Sequence, residues 1–533
     1  MPRSGSMVAS PPWTPGASAS SCMPCETSPA PSTRSPTMNA HSESAGVALK
    51  AARSVVWTAL TEIVARTASP IVMVVLARIL APADFGVVAT AMVAISFSQM
   101  LWDAGLNKAL VQTREAPDEA ANVVFWTNLL LATVTYGALF AAAPWLAAFF
   151  RSPPSGPILR VLGLQMIIAA LASVQHGLCV RDLDFRRLFW IKLVTAFLPG
   201  MLSIPLALRG FGAWALVIGA LSGQTLNLAL LWARSPWRPS LSYSPRQARR
   251  LLGFGVWVLA EAFGGWLILW GDSLLVGRFL GVHHLGVYRT GSMLVSVFFG
   301  LALNPFLTIA YPMLSRLQSD VPALIRGFRT VNRLVIAIAV PLALGLLATA
   351  HDMAAALLGN KWEGLDFVLG ALGFATGMTW TVGLNGEAYR AIGRPDINTK
   401  FMYGQLLVFV PAYALGAHLG IKALVIAKLV VFLLTVPIHA FVFAKVTGVS
   451  RFYLWEQSHA PLLAAALMVA GILAVRAGFV GLPPGALLAL SIGAGGCVYG
   501  AGVWSLDRSF LWELKAMACH ALGGKAKTPA TIC

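Results

Sequence analysis

The chain has 533 residues, 57% of them hydrophobic and only 11% charged, with a net charge of +18 and a mean hydropathy of +0.73. A soluble domain cannot cover itself with so few charges, so lipid is the expected solvent. Its basic residues form short clusters between apolar runs rather than a stripe on one face, which argues against a nucleic-acid partner.

Residues 1–47 are rich in Ser, Pro, Thr and Ala, lack the apolar run of a signal peptide, and read as a disordered tail. Met38 offers a second start, from which translation would omit residues 1–37; N-terminal sequencing of the natural product decides this. The pair Cys22 and Cys25 has CxxC form without the strand and helix of a redox motif. The other cysteines, Cys179, Cys497, Cys519 and Cys533, are scattered, so neither a metal site nor a disulfide framework is expected.

A helix that crosses a bilayer needs about 20 mostly apolar residues. Fourteen segments qualify, giving an all-α integral membrane protein. An N-lobe, 48–233, holds six of them at 54–78, 86–104, 122–150, 158–178, 189–208 and 213–233. A basic linker, 234–252, carries Arg234, Arg238, Arg246, Arg249 and Arg250. The C-lobe, 253–444, holds six more at 253–277, 286–312, 333–351, 365–385, 401–419 and 421–444. Two further helices, 460–477 and 485–505, lie within 445–505, and 506–533 form a tail. With both termini in the cytoplasm, roughly two thirds of the basic residues fall on the cytoplasmic side, as the positive-inside rule asks.

The chain repeats itself. Leu76-Ala-Arg78-Ile-Leu80 leading to Gly86-Val87 returns 200 residues later as Val276-Gly-Arg278-Phe-Leu280 leading to Gly286-Val287, and Trp57 returns as Trp257. One offset shared by Arg, Leu, Gly and Val in segments of equal topology predicts two pseudo-symmetric six-helix lobes.

Several runs resemble one family in order: Ala77-Arg78 through Asp84-Phe85-Gly86, Asp103-Ala-Gly105-Leu106, Leu110-Val-Gln112, Phe125-Trp126-Thr-Asn128, Arg181-Asp-Leu-Asp-Phe185-Arg186, Pro236-Trp237-Arg238-Pro239, Asp272 through Gly277-Arg278, Tyr311-Pro312 through Ser315-Arg316-Leu317, and Gly393-Arg394-Pro395-Asp396. Over about residues 48–450 the chain is similar to the Wzx-type lipopolysaccharide and exopolysaccharide flippases of the multidrug/oligosaccharidyl-lipid/polysaccharide exporter superfamily. The resemblance implies export of an undecaprenyl-diphosphate-linked oligosaccharide across a bacterial inner membrane by alternating access. It also implies a polysaccharide polymerase and a chain-length regulator as partners beside membrane lipid, with no cofactor and no catalytic residue.

A diphosphate headgroup calls for fixed positive charge in a hydrated cavity. Arg66, midway along the first segment, is the leading candidate, because an ionised side chain at that depth must face water or a partner. Glu62 is one turn earlier on the same face and either orients Arg66 or simply neutralises it. Pro70 removes a hydrogen bond to the carbonyl of residue 66 and is expected to bend the helix there. Glu261 and Asp272, eleven residues apart, share a face of the seventh segment and are candidates for ion coupling; Asp272 could instead pair with Arg278. Arg78 and Arg278 close the first helix of each lobe as interfacial anchors or gates. Lys192, Lys428 and Arg289 are expected to snorkel to headgroups. Pro199, Pro205, Pro305, Pro341, Pro411 and Pro437 would supply bends, and Gly373 with Gly377 a close helix contact.

An ATP-driven pump is excluded, since no Gly-x-x-x-x-Gly-Lys-Ser/Thr loop is present. Two rivals stand beside the flippase. One is a multidrug or cation antiporter of the same superfamily, which a mid-membrane arginine speaks against. The other is a membrane polymerase or ligase, which would need larger outward loops or a residue cluster beyond His283-His284.

Overall fold

A computed structural model describes residues 69–102, 117–241, 243–244 and 255–507, and no strand occurs among them. The first helix, α1, is described over Ser69–Ile79. It is followed by α2 (Pro82–Trp102), α3 (Pro117–Phe149), α4 (Ser155–Leu162), α5 (Gln165–Arg181), α6 (Phe185–Leu208) and α7 (Ala213–Ala233). The second half begins with α8 (Gly255–Arg316), then α9 (Val321–Leu357), α10 (Leu365–Trp380), α11 (Asn385–Ala391), α12 (Asp396–Leu419) and α13 (Ile421–Thr447). Two last helices, α14 (Tyr453–Gly478) and α15 (Pro484–Leu506), complete the chain as described.

Local chemistry marks the helix ends. Asp184 caps α6 by accepting from the Arg187 N–H at 3.3 Å, and Asp320 caps α9 by accepting from the Ala323 N–H at 3.1 Å, each satisfying a donor that has no partner within its own helix. Gly448, at φ 73°, ends α13 in the left-handed conformation that a residue without Cβ adopts freely. The predicted bend positions lie inside helices that continue past them: Pro199 and Pro205 in α6, Pro305 in α8, Pro341 in α9, Pro411 in α12 and Pro437 in α13.

Helix α8 is assigned continuously over 62 residues, with a break at Gly281, where φ is 83° and ψ is 177°. A straight helix would separate Asp272 from Tyr288 by about 24 Å at 1.5 Å per residue. Their side chains instead meet at 2.6 Å, so the chain turns back at Gly281 and α8 is two antiparallel arms.

Twelve helical stretches among the described residues are long and apolar enough to cross a membrane, against fourteen expected from the sequence. Two of the expected segments account for the difference. Most of the first expected segment, 54–78, lies outside the described residues, leaving the short α1. The seventh and eighth segments are the two arms of α8, which turns back at Gly281 and is counted there as one stretch. The protein is an all-helical, multi-pass membrane protein.

Each half has its own core. In the first, Ala91 and Ile95 of α2 meet Leu159 and Leu162 of α4 and Met166 of α5. A larger cluster in the second joins Tyr288 and Phe299 of α8, Val335 and Ala339 of α9, Leu369 of α10 and Phe443 of α13. Helices α14 and α15 rest on α9, with Ala465, Met468 and Ile472 against Ile336 and Val340. Ion pairs Arg333–Asp507 at 2.6 Å and Arg476–Asp352 at 3.0 Å pin them. The two halves meet where α2 lies against both arms of α8: Trp266 Nε1 donates to Ser96 Oγ at 3.0 Å, and its ring sits edge-on to Phe97.

Candidate functional site

Three features converge on the relation between the lobes. The first is a seam between α2 and α8, where Gly86 and Gly286 pack backbone to backbone. A Cβ built on Gly86 would fall onto the Val282 carbonyl oxygen, and one on Gly286 onto the Pro82 carbonyl oxygen. The contacts are reciprocal at the 200-residue offset of the repeat, so the seam follows a local two-fold axis.

The flanking arginines obey the same symmetry. Arg78, at the end of α1, donates through Nε to the Leu357 carbonyl at 2.8 Å and through a terminal nitrogen to the Ala356 carbonyl, both at the C-terminal end of α9. Arg278, ending the first arm of α8, donates to the Phe149 carbonyl at 2.8 Å, at the C-terminal end of α3, and stacks over the Phe149 ring. Each lobe thus extends a guanidinium to carbonyls that the other lobe's helix end leaves unsatisfied, where the helix dipole also favours a cation. Trp362 Nε1 donates to the Ala77 carbonyl at 2.9 Å, and Lys361 Nζ to the Arg78 carbonyl at 2.7 Å. The Trp362 ring also meets Phe85 edge-on, 5.4 Å between centroids.

The second feature is a chamber in the N-lobe. One compartment, about 490 Å³, is walled by α5, α6 and α7 and carries His176, Lys192, Gln224 and Asn227. A second, about 270 Å³, shares Lys192, Thr195, Pro199 and Ala220 with it and reaches α1 at Ser69, Val72, Met73 and Leu76. Gln224 is fixed by donating to Gln165 at 2.8 Å. Lys192 has no ion-pair partner among the described residues and is exposed to the chamber. On the opposite side of α6, Trp190, Val194, Phe197 and Met201 are 48–70% exposed, an apolar stripe suited to lipid.

The third feature fills the C-lobe interior. Asp272 is 3% exposed; its carboxylate accepts from Tyr288 Oη at 2.6 Å and pairs with Lys428 Nζ at 2.5 Å. Lys428 also donates to Tyr288 Oη at 2.9 Å, closing a three-membered ring of polar groups between the two arms of α8 and α13. Arg289 lies over the Trp270 ring at 4.0 Å. A buried pair of this kind persists because removing either partner strands a charge.

The expected site residues fall unevenly on these features. Glu62 and Arg66 lie outside the described residues. Pro70 is in α1, half-buried, and Arg78 and Arg278 belong to the seam. Glu261 is exposed near the start of α8, about 16 Å along the helix from Asp272 by helical rise, so the two carboxylates form no joint site. Asp272 pairs with Lys428 and not with Arg278.

Two expectations of snorkelling are corrected. Lys428 turns inward because a carboxylate and a phenol await it there, and Arg289 finds an indole within the bundle; Lys192 is exposed and lines the chamber. Sequence reasoning missed Tyr288, His176, Gln224 and Trp362. Tyr288 carries no signal of its own, whereas Lys428 within an apolar segment is a visible one, assigned to the wrong face.

Among the described residues, no group of His, Cys, Asp or Glu is placed to hold a metal ion.

Comparison with known proteins adds the following. Residues 75–365 match a family described as "Polysaccharide biosynthesis protein". The succinoglycan biosynthesis transport protein ExoT of Rhizobium meliloti (strain 1021) is 24% identical over 469 residues, spanning 87% of this chain and 95% of that protein. The lipopolysaccharide biosynthesis protein WzxC of Escherichia coli (strain K12) is 25% identical over 379 residues, 68% of this chain and 74% of that protein. Among solved structures, the lipid II flippase MurJ in an inward closed conformation superposes with a TM-score of 0.68 at 11% identity, covering 86% of this chain and 99% of that one. That likeness establishes a shared fold.

Proposed function

The chain belongs to the polysaccharide biosynthesis protein family, and from that membership we propose that it is a flippase. It carries a diphosphate-linked oligosaccharide on a polyprenyl anchor from the cytoplasmic to the outer leaflet of a bacterial inner membrane. The observation that carries the reading is the two-fold seam of Gly86 on Gly286 with Arg78 and Arg278 exchanged between lobes. Alternating access needs two rigid halves joined by a contact that can part as a unit. A seam made of carbonyl-directed hydrogen bonds and close glycines has that character, since it fits in one register only.

We place the lobes at 48–233 and 253–444, joined by the basic linker 234–252, with 445–505 as an added helix pair and both termini cytoplasmic. The seam then lies at the outer end, shut, and the chamber is loaded from within. Lys192 and Arg66 hold the diphosphate, while His176, Gln224 and Asn227 supply further hydrogen bonds. Glu62 steadies Arg66, and Pro70 bends the helix that carries both. The polyprenyl tail stays in lipid along the apolar face of α6.

Energy enters as protons. Asp272 is already neutralised by an ammonium, so a metal cation would have to displace Lys428, whereas a proton on Asp272 dissolves the pair and loosens α13 from α8. A polysaccharide polymerase and a chain-length regulator take over the product at the outer leaflet; co-purification with either would test that link.

The deciding experiment is reconstitution. Purified protein in proteoliposomes should move a fluorescent polyprenyl-diphosphate oligosaccharide between leaflets, and Arg66→Ala should abolish this while inserting normally. A wild-type protein that leaves the probe in its original leaflet, with or without a proton gradient, contradicts the reading.

A further inference from the structure

A separate polar pocket of about 750 Å³ lies at the end of the N-lobe away from the seam, between the start of α3, the end of α5, the start of α6 and the strand-free segment after α7. Its volume is in the range that encloses a small organic ligand. Helix α5 divides it from the chamber: Gln175 and Cys179 face the pocket, His176 and Val180 the chamber.

The pocket is built rather than incidental. Gln175 is 1% exposed, yet among the described residues neither its amide nitrogen nor its amide oxygen has a hydrogen-bond partner. The large majority of buried side-chain polar atoms in proteins are hydrogen-bonded. Arg187 donates through one terminal nitrogen to the Leu231 carbonyl at 2.7 Å, but its buried Nε has no partner among the described residues. The outer wall is held in place: Ser240 exchanges hydrogen bonds with Asn122 at 2.8 and 2.9 Å, Trp126 donates to the Ser240 carbonyl, and Trp237 packs edge-on against Phe125. Arg181, paired with Asp182 at 3.1 Å, and Arg238 complete the rim.

The chemistry of the unmet groups selects the ligand. Gln175 has both a donor and an acceptor without a partner, and Arg187 a donor, among the described residues. A diphosphate diester has acceptors only and cannot satisfy the Gln175 oxygen, and Asp182 and Asp184 offset part of the positive charge that Arg181, Arg187 and Arg238 bring to the pocket. Apolar ligands satisfy none of these groups. Hydroxyls both donate and accept, and a ring that bears several can bridge a carboxamide, a guanidinium and a carboxylate while its C–H face lies on an indole.

We propose that this pocket binds a sugar ring of the glycan on the cytoplasmic side, so that the cargo's identity is read apart from the diphosphate. The proposal rests on the flippase reading for its biological meaning and on Gln175 and Arg187 for its chemistry. The test uses the full chain in detergent and a panel of glucose- and galactose-containing disaccharides, with saturation-transfer NMR as readout. At least one disaccharide should receive saturation on its ring protons. The signal should fall at least fivefold in Gln175→Leu and in the surface variant Asp182→Asn, and be unchanged in Lys192→Ala, which alters only the chamber. Absence of transfer to every disaccharide, an undiminished signal in Gln175→Leu, or competition by inorganic diphosphate at the same site would overturn it. Sugar binding without flipping by the wild type would defeat the flippase reading and leave the pocket intact. Flipping without sugar binding would do the reverse.

Discussion

The two lobes share a fold and a repeat, yet they use their interior lysines in opposite ways. In the N-lobe, Lys192 stands on the wall of a chamber with His176, Gln224 and Asn227, and no carboxylate among the described residues neutralises it. In the C-lobe, Lys428 is drawn onto Asp272 and Tyr288 and the interior closes. The contrast teaches that a cation at membrane depth is a ligand-binding group only if the protein leaves it unanswered. Where a carboxylate answers it, the pair becomes a structural clamp.

The sharpest way to break this contrast is to remove the C-lobe carboxylate. Asp272→Ala leaves Lys428 buried and unpaired and should destabilise the protein by about 3–5 kcal/mol. The double change Asp272→Leu with Lys428→Met should recover most of that loss in thermal unfolding in detergent, while responding differently to a proton gradient. Equal stability of Asp272→Ala and wild type would show that the pair is no clamp.

Next in size is the N-lobe lysine. Lys192→Ala should cost substrate affinity about 1.5–3 kcal/mol, the worth of one hydrogen bond to a charged group. Its unfolding free energy should stay within about 0.5 kcal/mol of wild type. A lysine that behaves like Lys428, with stability falling and binding intact, would erase the difference between lobes.

At the seam, Gly86→Ala places a methyl on the Val282 carbonyl and should raise the energy of the shut state by about 1–3 kcal/mol through overpacking. Spin labels across the outer end should then report a larger open fraction, as should the symmetric Gly286→Ala. The smallest effect is expected from Arg78→Gln, which gives up a cation at a helix C-terminus worth about 0.3–1 kcal/mol. Its partner Arg278→Gln should match it if the two-fold relation is energetic as well as geometric.

Much of this was legible in the sequence, and the rest was hidden for identifiable reasons. The repeat brought Arg78, Arg278, Gly86 and Gly286 to attention before any coordinates, because symmetry leaves the same residue at the same offset. Their partners could not be read: Leu357, Ala356 and Phe149 offer backbone carbonyls, and a carbonyl has no side-chain signature. Lys428 was visible but misplaced, since position along a helix fixes depth while rotation about its axis decides between lipid and core. Gln175 gave no warning, being one polar residue in an apolar stretch whose meaning depends on the empty space beside it.

The most direct test of the central claim is to fasten the seam. Phe85 and Trp362 touch across the lobes, so Phe85→Cys with Trp362→Cys, on a background lacking the natural cysteines, can be bridged by a short bis-maleimide in proteoliposomes. Bridged protein should stop moving the polyprenyl-diphosphate oligosaccharide, while the unbridged double variant continues. Transport at the unbridged rate after complete bridging would contradict a mechanism in which the lobes part at this seam.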